Sequence, residues 1–134
     1  IGRVGNEFGA TTGRKRRCGW IDLPALKYAI AINGVTKLMM MKADVLSGLK
    51  HIKVCTHYLH KGDKIDYLPF NANDDALKPV YIQLDAWSED LTGLNNINQA
   101  PDALKNYISF LEKELKTPIT IISVGPDRSQ TLIR

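Results

Sequence analysis

The sequence predicts an α/β fold, a mixed sheet with a β-hairpin and two main amphipathic helices, in one domain over residues 1–134. Three observations carry that prediction. Leu104, Tyr107, Ile108, Leu111 and Leu115 recur at helical spacing; Ile52 to Tyr58 alternate in a strand rhythm; and Ile119 to Val124 form a β-branched run. The chain is 134 residues long, 44% hydrophobic and 24% charged, which is ordinary for a single globular domain. Disorder and collagen-like repeats are excluded by that composition. The longest apolar stretches, such as Ala29 to Ile32 and Leu38 to Met41, fall far short of the roughly 20 residues a membrane-crossing helix needs.

Taken in order, the first 20 residues hold Gly2, Gly5, Gly9, Gly13 and Gly19, which breaks helix and strand alike and predicts a loop that brings its backbone close to a ligand. Asp22 is placed to cap a helix with Pro24 in its first turn. Leu23, Leu26 and Ile30 form its sheet-facing side, and Asn33-Gly34 ends it. Thr36 to Met41 reads as a short buried strand, although a helical segment has the same apolar run. Ile52, Val54, Thr56 and Tyr58 then share one strand face, with Lys53, Cys55 and His57 on the other. Lys61-Gly62-Asp63 turns the chain into a second hairpin strand, Lys64 to Leu68. Pro79 to Trp87 is a further strand through Val80, Ile82 and Leu84, followed by a polar loop from Ser88 to Ala100. Pro101 starts the clearest helix, which stops where Thr117 precedes Pro118, and the strand Ile119 to Val124 closes on Gly125-Pro126. No internal repeat or interdomain linker is present.

Charge narrows the choice of partner. The net charge is +4, and Arg14, Lys15, Arg16 and Arg17 hold the whole excess in one loop, which suits a single compact anion better than a polymer. Cys18 and Cys55 form no CxxC pair, so neither a disulfide framework nor a zinc motif is indicated, and a reducing cytoplasm fits. His51, His57 and His60 match no common metal-ligand spacing. The opening Ile1-Gly2-Arg3, without methionine, suggests a piece of a longer protein.

Three segments carry candidate chemistry. In Gly9-Ala10-Thr11-Thr12-Gly13-Arg14-Lys15-Arg16-Arg17, hydroxyls, turn amides and guanidinium forks together make the parts of a carboxylate or phosphate site. No GK[ST] follows the glycines, so it is not a Walker loop. Lys42-Ala43-Asp44 follows a strand, where α/β sheets bind ligands at the carboxyl ends. There a carboxylate accepts from paired donors such as guanine N1–H and its exocyclic amine. A lysine two positions earlier points the same way and can lay its stem on the base. The competing reading is a surface ion pair or a turn cap. Ser123-Val124-Gly125-Pro126-Asp127-Arg128 ends another strand, where a hydroxyl and open backbone face outward, or a plain Gly-Pro turn forms. Tyr107 and Phe110 read as packing; Trp20 and Trp87 take no role from sequence.

GATTGRKRRCGW at Gly9 to Trp20, MKADVLSGL at Met41 to Leu49 and SVGPDRSQT at Ser123 to Thr131 together resemble the carboxyl-terminal third of adenylosuccinate synthetase, a larger P-loop-like GTP-dependent ligase. The resemblance implies a cytoplasmic, homodimeric enzyme of purine nucleotide synthesis. It would join IMP and L-aspartate at the expense of GTP, with Mg²⁺, through a 6-phosphoryl-IMP intermediate. It further implies that Ala10, Thr11, Thr12, Gly13, Arg14, Lys15 and Arg16 form an aspartate loop, that Arg14 also touches the IMP ribose and that Arg16 faces the GTP side. Lys42, Ala43 and Asp44 with Ser123, Val124 and Gly125 would read guanine. Lys15 stands where the family commonly has Arg, and Ala43 where it commonly has Leu, leaving less apolar surface beside the base. The family's phosphate-binding glycine loop, catalytic aspartate and histidine, and Mg²⁺ ligands belong to its amino-terminal part, so no catalytic or metal residue is expected here and these residues alone should be inactive. The rival is a small basic nucleic-acid-binding module using Arg14 to Arg17; it lacks an aromatic-rich stacking motif, and its charge is confined to one loop.

Overall fold

The computed structural model describes residues 1–134 and contains two small sheets rather than one. In chain order the elements are β1 (Ile21–Asp22), α1 (Leu23–Asn33), β2 (Leu38–Met40), β3 (His51–His60), β4 (Asp63–Ile65), β5 (Leu77–Asp85), α2 (Asp102–Leu115), β6 (Ile119–Ser123) and β7 (Thr131–Ile133).

α1 begins and ends where its caps dictate. The Asp22 carboxylate accepts from the Ala25 amide at 3.1 Å, Pro24 fills the first turn, and Gly34 closes the helix in the left-handed region at φ 59°. The other oxygen of Asp22 accepts from the Tyr58 hydroxyl at 2.6 Å, tying the start of the helix to β3. α1 packs on β3 and α2, yet its apolar residues run around the helix, so Tyr28 and Ile32 remain exposed. α2 carries the stripe read from the sequence: its buried residues are Leu104, Tyr107, Ile108, Leu111 and Leu115. Each such side chain contributes about 1.5–3 kcal/mol on burial.

β3 is the centre of the first sheet. β5 runs antiparallel along one edge from His51↔Asp85 to His60↔Leu77, and β1 and β4 share the other edge. The hairpin turn is the tight one expected, with Lys61 and Gly62 both at positive φ, 54° and 97°. Its return strand, however, is only Asp63–Ile65 rather than Lys64 to Leu68, because β5 supplies the long partner. The simple alternation of β3 also fails: a bulge between Cys55 and His57 resets the register, so Cys55 is buried alongside Val54 and Tyr58. β5 lies two residues earlier than predicted, with Val80, Ile82 and Leu84 inward. Its Pro79 is tolerated because β5 is an edge.

The second sheet is β2–β6–β7. β2 is parallel to β6, pairing Leu38 with Ile119 and Met40 with Ile122, and β6 is antiparallel to β7. β7 was not read from sequence. One core joins both sheets through Leu23, Ile52, Val54, Leu104, Ile108 and Ile122. Trp87 is buried in it, its ring centroid 5.9 Å from that of Tyr107.

Candidate functional site

β2 and β6 lie side by side and point the same way, so their carboxyl ends open onto the same space. β2 ends at Met40, and Lys42 then takes a left-handed conformation at φ 59°, which costs a non-glycine residue roughly 1–2 kcal/mol. Its ammonium offsets that cost by donating to Gly5 O at 2.7 Å and to Glu7 Oε1. A single 3₁₀ turn, Ala43–Leu46, follows and sends Ala43 and Val45 into the core. Lys42 and Asp44 therefore do not share a strand face, as spacing alone suggested; the turn, not strand alternation, sets the direction of Asp44. Ala43 is 1% exposed, so its side chain packs in the core, and only backbone remains for a ligand. Asp44 Oδ1 is closed off from solvent and meets no donor in the protein, which leaves its full accepting capacity unused.

The other lip comes from the end of β6. Ser123 donates from its hydroxyl to Gly125 O at 3.0 Å, Val124 is fully buried, and the Val124 amide donates to Gln130 O at 2.9 Å. Gln130 also braces the turn with its side chain, accepting from the Asp127 amide at 3.0 Å and donating to Thr92 O at 3.4 Å. A Cβ at Gly125 would lie 2.2 Å from Gln130 Oε1, so any larger residue here must push the Gln130 amide aside. Between the lips is a cleft of about 440 Å³ into which Lys42, Asp44, Ser123, Gly125 and Pro126 face, with Val4 to Asn6 alongside. The second and third sequence segments, 81 positions apart at Leu38 and Ile119, thus form one site.

The first segment is a hairpin-like loop. Phe8 bridges Lys15, the Gly9 amide donates to Arg14 O at 2.8 Å, and the Arg16 amide donates to Glu7 O at 2.9 Å. Gly13 sits at φ 64°, where only glycine turns without strain. Thr12 Oγ1 accepts from the Arg14 amide at 3.3 Å. The amides of Ala10, Thr11 and Thr12 have no acceptor in the chain, and Thr11 through Arg17 are exposed. Of the four consecutive cations only Arg16 meets a carboxylate, Glu7 Oε2 at 3.2 Å. The loop can therefore supply backbone donors, hydroxyls and uncommitted guanidinium groups to an external anion.

Glu7 joins the loop to the cleft, with one oxygen on Arg16 and the other on Lys42. The Lys42 ammonium, with help from Arg16, holds its carboxyl below the usual carboxylate range. Sequence reasoning passed over Glu7 because it lies in a glycine-rich run with no spacing signal, and over Gln130 because its role depends on a turn. The remaining polar candidates do not converge. His57 meets its neighbour Thr56 at 2.9 Å and His60 meets Asp74 at 3.0 Å, Cys18 is exposed and Cys55 buried. No three His, Cys, Asp or Glu residues come together to hold a metal ion, and no helix is long and apolar enough to cross a membrane.

Comparison with known proteins adds a second line. The family model described as adenylosuccinate synthetase matches residues 1–132. The adenylosuccinate synthetase of Christiangramia forsetii is 59% identical over all 134 residues, and that of Flavobacterium psychrophilum 56% identical; each match covers 32% of the relative. The chain thus spans about a third of the length of these relatives. A structure of fully ligated adenylosuccinate synthetase from Plasmodium falciparum superposes with a TM-score of 0.93 over 98% of this chain and 32% of that one, at 36% identity.

Proposed function

This chain belongs to the adenylosuccinate synthetase family, and from that premise we propose that it forms the aspartate-loop and guanine-binding part of a GTP-dependent ligase. The reaction joins the amino group of L-aspartate to IMP, with GTP giving GDP and phosphate, in a cytoplasmic homodimer. The observation that carries the reading is the meeting of Lys42 and Asp44 with Ser123 and Gly125 around one cleft. There the Asp44 carboxylate, which lines the cleft and has no protein donor on Oδ1, supplies acceptors suited to the N1–H and 2-amino pair of guanine, and the backbone at Val124 and Gly125 faces the base edge. The stem of Lys42 lies beside the base while its ammonium stays fixed by Gly5 and Glu7.

In the loop, the free amides from Ala10 to Thr12, the hydroxyls of Thr11 and Thr12, and the forks of Arg14 and Arg16 bind the two carboxylates of aspartate. Charge-assisted bonds of this kind are about twice as strong as neutral ones. Arg14 also reaches the IMP ribose, Arg16 faces the GTP side, and Lys15 keeps the loop's charge without a bidentate fork. Mg²⁺ supplies charge neutralisation at the transferring phosphoryl group. Its ligands, as the family resemblance implies, belong to the amino-terminal part of the enzyme. Nothing in the fold or the relatives favours the nucleic-acid-binding alternative. The reading is tested by supplying the full-length enzyme with IMP, L-aspartate, GTP and Mg²⁺ and following adenylosuccinate by chromatography. Product that depends on all three substrates is expected; absence of product, with the enzyme folded, would overturn it.

A further inference from the structure

The loop and the cleft each carry a long cationic side chain, Arg16 and Lys42, and a single carboxylate spans the gap between them. Glu7 Oε2 lies 3.2 Å from Arg16 Nη1, and Glu7 Oε1 accepts from Lys42 Nζ. The backbone of Glu7 is itself pinned: its amide donates to Gly2 O at 2.9 Å, and its carbonyl accepts from the Arg16 amide at 2.9 Å. Lys42 donates in addition to Gly5 O at 2.7 Å. The Gly5 to Glu7 turn is thus held from the loop side by Arg16 and from the cleft side by Lys42.

We propose that Glu7 is a positioning residue for both ligands, setting the Arg16 guanidinium toward the dicarboxylate and anchoring the Lys42 ammonium so that the lysine stem lies along the nucleotide base. The proposal deepens the functional reading above and rests on it. Glu7 touches neither ligand in this role. It fixes the rotamers of two long side chains that otherwise lose conformational freedom each time a ligand binds. It also leaves each cation with spare donors, since an ammonium has three and a guanidinium five.

The test is a set of KM and kcat measurements on the full-length enzyme carrying Glu7→Gln. The amide keeps the size and one acceptor but must turn its NH₂ toward one of the two cations. KM for L-aspartate and KM for GTP should both rise about five- to twentyfold, while kcat at saturation stays within about threefold because no reacting group is removed. In an Arg16→Leu background the further aspartate penalty of Glu7→Gln should vanish to within about twofold, and in a Lys42→Met background its GTP penalty should shrink. Penalties that persist in full in both backgrounds, or a KM unchanged for either substrate, overturn the proposal. If Glu7→Gln does not fold, Glu7→Asp, which keeps the charge but shortens the reach, takes its place in the same backgrounds with the same outcomes. Loss of product in the unmodified enzyme would sink the functional reading itself; normal turnover with an insensitive Glu7→Gln sinks this proposal alone.

Discussion

Replacing Asp44 by Asn in the full-length enzyme changes one acceptor atom into a donor and almost nothing else. The structure sets the size of the effect. Oδ1 of Asp44 meets no protein donor, so the substitution removes no internal hydrogen bond and its effect falls on the proposed nucleotide contact. Guanine presents N1–H and its 2-amino group side by side, and in the proposed reading the carboxylate accepts from both. With Asn, one of these charge-assisted bonds, worth about 1.5–3 kcal/mol, is lost, and the side-chain amide faces the base amine donor to donor. kcat/KM for GTP should therefore fall about ten- to more than a hundredfold. Xanthine carries an oxygen where guanine carries the amine, so XTP use should improve, the preference reversing or narrowing by several kcal/mol as in other sites built on hydrogen-bond matching. Steady-state kinetics with both nucleotides measure this directly. A GTP-to-XTP preference equal to that of the unmodified enzyme would refute the assignment and leave Asp44 as a turn residue.

Arg14→Leu and Arg16→Leu should each raise KM for aspartate roughly ten- to a hundredfold or more, since each removes a charge-assisted contact of about 1.5–3 kcal/mol. Arg14→Leu should leave KM for GTP nearly unchanged; kinetics with each substrate varied in turn check both. Gly125→Ala should lower the melting temperature and raise KM for GTP, because the new Cβ, 2.2 Å from Gln130 Oε1, drives that amide off the Asp127 and Thr92 bonds at about 0.5–1.5 kcal/mol each. Adding Gln130→Ala should remove most of the clash, and calorimetry showing no such relief would place the strain elsewhere. The 134-residue chain by itself should form no adenylosuccinate, since positioning the phosphoryl group and deprotonating IMP need groups it does not offer; product above background from the purified chain would contradict this.

What the sequence displayed well was local. α2 was legible because its five buried positions repeat at helical spacing, and α1 because Asp22, Pro24 and Gly34 act within a turn of themselves. The three candidate segments were legible as chemistry, and the parallel pairing of β2 and β6 explains why two of them share a cleft. Illegible features depended on the rest of the fold. β4 is short because β5, which begins 17 residues after β3 ends, takes the long edge. Cys55 is buried because a bulge opposite β5 rotates the strand. Lys42 leaves the strand geometry because Gly5 and Glu7, more than 30 residues earlier, offer it acceptors. No residue pattern around position 42 announces those partners.

The parallel pairing of β2 with β6 also has a bearing on how the molecule assembles. Leu38 must find Ile119, 81 positions further along the chain, and such distant closure is entropically costly and slow compared with forming either helix. The two lips of the cleft hang from those two strand ends, so neither lip has its neighbour until that last long-range pairing is made. In the proposed reading, a nucleotide held by both lips would act as a clasp on it. By mass action it favours only molecules in which the pairing is complete, by about 2.7 kcal/mol at a concentration of 100 Kd. The ligand proposed for the cleft would thereby select for the finished fold.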